Sequence, residues 1–117
     1  MKMKVHYHEI VTDNVDATCK AYAASAGASF GDESVPELGG ARLLARPDGT
    51  TIGVRGRLSP DEPLLHRPYF LVDDVTAAYD AALAEGGQEV HPPLEIPGRG
   101  KFAIYKAGGV HHGLWEL

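Results

Sequence analysis

Residues 4–12 alternate apolar or aromatic positions with polar ones, and several are β-branched, which predicts a strand. The pattern then changes period. Asn14 stands just before the alanine-rich stretch 15–26, where a short polar side chain can accept an orphan backbone N–H, and Gly27 follows where a left-handed residue ends a helix. The stretch 75–85 has the same frame: Asp74 in front, Val75, Ala78, Ala82 and Glu85 at helical spacing, and Gly86-Gly87 behind. Three short runs with strand character follow each helix, at about 28–34, 41–46 and 50–56, then at 88–95, 101–106 and 110–117. Turn formers separate them: Pro36 with Gly39-Gly40, Pro47-Asp48-Gly49, Pro97-Gly98-Arg99-Gly100 and Gly108-Gly109.

The two halves are copies. At an offset of 60 residues, without gaps, His6, Asp13, Val15, Ala17, Ala21, Ala24, Gly27, Gly40, Gly49 and Gly53 fall on identical residues from His66 to Gly113. The unit is therefore βαβββ, repeated, and each copy is too small to bury its apolar face alone. One α+β domain over 1–117 results, with module one at about 4–57, module two at about 65–117 and a joint at 58–64. Ser59-Pro60-Asp61-Glu62-Pro63 gives that joint the composition of an exposed linker.

Composition narrows the function classes. At 117 residues, 44% hydrophobic and 23% charged, the chain can close one modest core and would gain by burying more surface in a homodimer. No apolar run approaches a membrane span. Met1-Lys2-Met3-Lys4, followed by Val5-His6-Tyr7-His8-Glu9, has no apolar leader core, so a cytoplasmic address is expected. The single cysteine, Cys19, excludes an internal disulfide and any multi-cysteine zinc site, and its helical neighbours make it a small packed residue. A net charge of -5 argues against a nucleic-acid partner. There is no nucleophile elbow, phosphate-binding glycine loop or metalloprotease motif.

A tandem βαβββ chain of this length resembles the vicinal oxygen chelate superfamily, the glyoxalase, bleomycin-resistance and extradiol dioxygenase group. Tyr69-Phe70-Leu71-Val72-Asp73-Asp74-Val75, with Ala77-Ala78 and Gly86-Gly87, is similar to the opening of that family's second module. The run from His91-Pro92-Pro93 through Pro97-Gly98-Arg99-Gly100 to Ile104, and the ending Gly109-Val110-His111-His112-Gly113-Leu114-Trp115, resemble a lactoylglutathione lyase-related branch. The resemblance implies a curved mixed sheet or paired half-barrel, helices on its convex side and a ligand cavity on its concave side. It also implies, in metal-dependent members, one His or Glu ligand from each of four strands. With Asn14 and Asp74 opening the helices, those ligand positions fall on Tyr7, Arg67, Gly53 and Gly113, which offer no metal shell and leave space at the two glycines.

Strand parity decides between two site readings, because a one-residue slip exchanges the faces of a strand. In the Asn14/Asp74 register the inward face carries Tyr7, Glu9, Arg55, Arg67, Tyr69, His111 and Trp115: an aromatic wall with one acid, two guanidinium groups and an imidazole. Glu9 would pair with Arg55 or Arg67, since an unpartnered buried carboxylate is expensive. The second guanidinium would then suit an organic acid, which Arg grips in bidentate fashion. In the rival register, with Asp13 and Asp73 opening the helices, His6, His66 and His112, with Glu116, would hold a divalent metal. The first register fits better, since Val15 and Val75 then follow the opening residues as apolar anchors.

The expectation is a protein that binds a small organic molecule without a metal cofactor. The alternatives are a metal-dependent lyase, isomerase or dioxygenase, and a non-catalytic regulatory or interaction module.

Overall fold

Both helices begin as their sequences dictate. In the computed structural model, which describes residues 4–117, the Asn14 side chain accepts a hydrogen bond from the Ala17 N–H at 3.0 Å. Asp74 does the same for the Ala77 N–H, also at 3.0 Å. These caps start α1 (Val15–Ala26) and α2 (Val75–Ala84). Gly27, at φ 68°, supplies the left-handed residue that ends α1. The rival register, which needed Asp13 and Asp73 at these caps, is thereby overturned.

The chain divides into two compact units, Tyr7–His66 and a second that takes Arg67–Leu117 with the described residues up to His6. The first is built from β1 (Val5–Thr12), α1, β2 (Ser34–Val35), a single turn of 3-10 helix (Pro36–Leu38), β3 (Ala41–Ala45) and β4 (Thr51–Gly56). Its strands lie in the order β2-β3-β4-β1, with β1 parallel to β4 and the other pairs antiparallel. The second is built from β5 (Leu65–Leu71, whose Leu65 and His66 fall in the first unit), α2, β6 (Gln88–Ile96), β7 (Gly100–Ala107) and β8 (Val110–Glu116), in the order β5-β8-β7-β6 with β5 parallel to β8. The repeat read from the sequence is a repeat of topology, and the fold is of the expected α+β class.

Each unit has its own core on the helix side of its sheet. Ile10, Cys19, Phe30, Leu44, Ile52 and Val54 form one, with Val15, Tyr22 and Ala28 packed against it. Val75, Tyr79, Ala103 and Leu114 form the other, with Val72, Ala78, Leu83 and Tyr105. Cys19 is a packed core residue, and burial pushes its thiol pKa up, away from reactivity.

Two segments depart from the expected pattern. The strand predicted at 28–34 shrinks to Ser34–Val35, because Gly31-Asp32-Glu33 bends away after one backbone hydrogen bond, Gly31 N–H to Leu43 O at 2.9 Å. The Arg42 side chain holds that bend through Gly31 O at 3.0 Å and the Asp16 carboxylate at 3.1 Å. β6 is interrupted at Glu89/His91 and His91/Leu94, since Pro92 and Pro93 have no N–H to give the ladder. No helix among the described residues is long and apolar enough to cross a membrane.

Candidate functional site

In the first unit, β1 sends Ile10 to the helix-side core and Tyr7, Glu9 and Val11, all buried, to the other face. The parallel register with β4 sets Glu9 opposite Gly53 and Val11 opposite Arg55. Arg55 is only 4% exposed, and its guanidinium is saturated by acids. Its Nε–H donates to Glu9 Oε2 at 2.8 Å, while Nη1 and Nη2 donate to the two Glu62 oxygens, each at 2.8 Å. Nη1 also donates to Gly56 O at 3.1 Å. The fork onto Glu62 is the bidentate geometry for which guanidinium is suited, and it is the main cause that holds the Arg55 pKa above its ordinary value.

Glu62 is the residue that sequence reasoning missed. It lies in the joint expected to be an exposed linker, yet its carboxylate is turned inward onto Arg55 and also accepts the Leu58 N–H at 2.8 Å. The count of two arginines against one acid is corrected to two acids on Arg55 alone. The imbalance itself was the available signal, because a buried guanidinium requires carboxylates and Glu62 is near in sequence. Gly39, at φ +70°, leaves room for the Arg55 side chain: a Cβ there would stand 2.8 Å from Arg55 Cδ.

Gly53 and Gly113 do not leave empty space. A Cβ on Gly53 would collide with the phenol of Tyr7, and one on Gly113 would stand 2.5 Å from the Tyr69 ring. In each module a tyrosine of the first strand lies across a glycine of the last. That corrects the expectation of open volume at these two positions.

In the second unit the helix-free face carries Arg67 and Tyr69 from β5 with Trp115 from β8, all three buried. Tyr69 is opposite Gly113 and Leu71 opposite Trp115. Tyr69 meets Phe102 and Trp115 edge-on, both at 6.0 Å between ring centroids, and Phe102 stacks with Trp115 at 6.2 Å. His91 adds its ring 4.7 Å from Phe102. The Trp115 indole N–H donates to Arg99 O at 2.9 Å, so its polar edge is satisfied. His111, two residues before Gly113 on β8, is exposed. Its pKa is lowered by partial desolvation and then by the positive charge of Arg67.

The residues present do not fit the family's metal. The four matching positions hold a phenol, a guanidinium and two glycines covered by rings. The rival set is dispersed among other partners. His6 packs on Trp115 at 5.4 Å, and His66 is hydrogen-bonded to His8 at 3.1 Å. His112 stacks on Tyr105 at 5.0 Å and bonds Ala107 O at 3.1 Å, and Glu116 accepts the Val75 N–H at 2.9 Å, helping to cap α2. Among the described residues no three His, Cys, Asp or Glu side chains gather into a metal-holding group.

No family model matches the chain. Proteins named putative glyoxylase in Mycobacterium bovis and Mycobacterium tuberculosis are 31% identical over 98 residues, 84% of this chain and 38% of theirs. The chain thus spans well under half the length of these relatives. Among solved structures, methylmalonyl-CoA epimerase from Mycobacterium tuberculosis superposes with a TM-score of 0.72 at 19% identity, covering 96% of this chain and 86% of that one. A mutant of 4-hydroxymandelate synthase from Streptomyces coelicolor gives a TM-score of 0.71 at 20% identity, covering 97% of this chain and 38% of the synthase.

Proposed function

We propose that this chain, which belongs to the vicinal oxygen chelate superfamily, binds a small organic molecule on the helix-free face of its second module without a resident metal ion. The observation that supports this reading is the placement of a buried cation, Arg67, on the same strand face as the ring cluster Tyr69, Phe102 and Trp115. A few polar groups set in an aromatic wall is the usual make-up of a small-molecule site. Arg67 receives an acidic group of the ligand, and the rings receive its apolar or unsaturated part. The overall charge of -5 disfavours an anion at long range, but salt screens exposed charges beyond about 8 Å, so the local guanidinium governs a contact ligand.

The role of the first module in this reading is structural. Arg55 is gripped by Glu9 and Glu62, so its guanidinium offers packing and rigidity more than a charge for a ligand. The assembly is a homodimer.

Thermal-shift screening against small aromatic and unsaturated acids, with chelator present throughout, tests the proposal. Stabilisation by at least one acid in chelator supports it. Ligand effects that require added Mn, Ni, Zn or Fe would replace it with the metal-dependent lyase, isomerase or dioxygenase reading. An absence of any ligand effect, with or without metal, would favour the non-catalytic interaction module.

A further inference from the structure

His8 and His66 face each other with Nδ1 of one 3.1 Å from Nε2 of the other, and their ring centroids are 5.2 Å apart at 49°. Neither residue belongs to the four metal positions that the family resemblance implies, and His8 is absent from the rival set too. His8 is half-buried and His66 is exposed, so a hydrated ion can reach the pair from solvent.

From this juxtaposition we propose that His8 and His66 form a two-imidazole site for a first-row divalent transition ion, with water completing its shell. The spacing suits such a chelate. Two nitrogens bound at about 2.0–2.1 Å stand about 2.9 Å apart in a square arrangement and about 3.3 Å apart in a tetrahedral one. The observed separation falls between those values, so the two nitrogens already stand at chelating distance. The hydrogen bond already present requires one of the two nitrogens to be unprotonated. Binding needs the donor ring to switch tautomer, its proton moving to that ring's other nitrogen, so that both rings stay neutral and both facing nitrogens are free to ligate.

The surrounding charges also fit a cation site. Asp48, in the turn between β3 and β4, lies within electrostatic reach of His8 and favours positive charge there, while Arg46 opposes it. Imidazole nitrogen with water selects borderline ions, and Cu2+ binds ahead of Ni2+ and Zn2+.

Isothermal titration of Cu2+ into untagged, chelator-treated protein tests the site, with nitrogen hyperfine structure in the Cu2+ EPR spectrum as a second readout. The expected result is one Cu2+ per chain with a two-nitrogen signature. His8→Ala and His66→Ala should each weaken binding at least tenfold, and His112→Ala should not change it. His66→Gln, which keeps a polar side chain at an exposed position, provides the same test should either alanine variant fail to fold. Unchanged Cu2+ affinity and spectrum in the folded His8 and His66 variants, or no stoichiometric Cu2+ on the wild-type chain, would overturn the assignment. Neither outcome bears on the proposed ligand face, which carries neither residue.

Discussion

Tyr7 lies across Gly53 so closely that its phenol occupies the place a Cβ would take. Both residues are buried, and Gly53 is opposite Glu9 in the β1–β4 register. Glycine is therefore required here by space, not by φ. Gly53→Ala is expected to destabilise the chain by about 1–3 kcal/mol, the usual cost of overpacking. Denaturant unfolding reads this directly. In Tyr7→Ala/Gly53→Ala the clash disappears, so the effects of the two substitutions should be non-additive. Full additivity would show that Tyr7 does not occupy that volume.

The joint between modules is held by Glu62, whose two oxygens grip Arg55 and whose Oε1 also accepts the Leu58 N–H. Glu62→Ala should cost about 3 kcal/mol, toward the lower end for breaking a buried pair because Glu62 keeps 18% side-chain exposure. Limited proteolysis within 58–64 should accelerate as well. Arg55→Ala should cost more, since it leaves Glu9 and Glu62 together without the guanidinium. Equal and small losses for both variants, by urea unfolding, would contradict this account.

The difference between Glu62 and Asn14 shows what was legible in the sequence. Asn14 and Asp74 act on backbone three residues away, so local spacing predicted both caps and, through them, strand parity. Parity then placed Tyr7, Glu9, Arg55, Arg67, Tyr69 and Trp115 on the helix-free faces without coordinates. Glu62 turns inward from the joint for a partner in β4, and Ser-Pro-Asp-Glu-Pro composition carries no sign of that. The covering of Gly53 and Gly113 was equally hidden, because whether a missing side chain leaves a hole depends on the rotamer of a neighbouring ring. The His8–His66 contact joins residues far apart in sequence and has no local signature at all.

Acid should weaken the fold. Burial lowers the pKa of His6, His8 and His111 from the ordinary 6.5, with positive neighbours adding to the shift: Lys4 at His6, His66 and Arg46 at His8, and Arg67 at His111. For a depressed histidine the unfolded chain binds more protons than the folded chain between the folded pKa and 6.5. Stability is thus constant above that window and falls as pH drops through it. Urea midpoints of chelator-treated protein should decline from pH 7 toward pH 5. His6→Gln and His111→Gln should each reduce the slope, and a midpoint that rises on acidification would refute the sign.

Several large apolar side chains remain exposed on the single chain, among them Leu58, Leu64, Val110 and Leu117. A chain of 117 residues buries a smaller share of its surface alone than a larger domain does, and a second copy can cover such residues. Sedimentation equilibrium at micromolar concentration should return twice the mass of the chain. A monomer mass across that range would contradict the homodimer.

Arg67 carries the sharpest functional prediction. It shares the helix-free face of β5 with Tyr69, is 6% exposed, and its charge is felt by His111 on β8. A ligand that presents a carboxylate to this guanidinium and a ring to Tyr69 and Trp115 would make a charge-assisted contact worth about 1.5–3 kcal/mol. Arg67→Ala should therefore weaken binding of small aromatic or unsaturated acids by about ten- to a hundredfold, measured by calorimetry. Arg67→Lys should recover only part of it, because an ammonium keeps the charge but loses the planar fork. The matching amides should bind weakly to the wild-type chain and be nearly indifferent to the substitution. That contrast separates loss of a charge contact from loss of packing, since a purely structural Arg67 would affect acid and amide alike. If acids bind Arg67→Ala as well as they bind wild type, the ligand does not use this guanidinium and the anionic reading of the face fails.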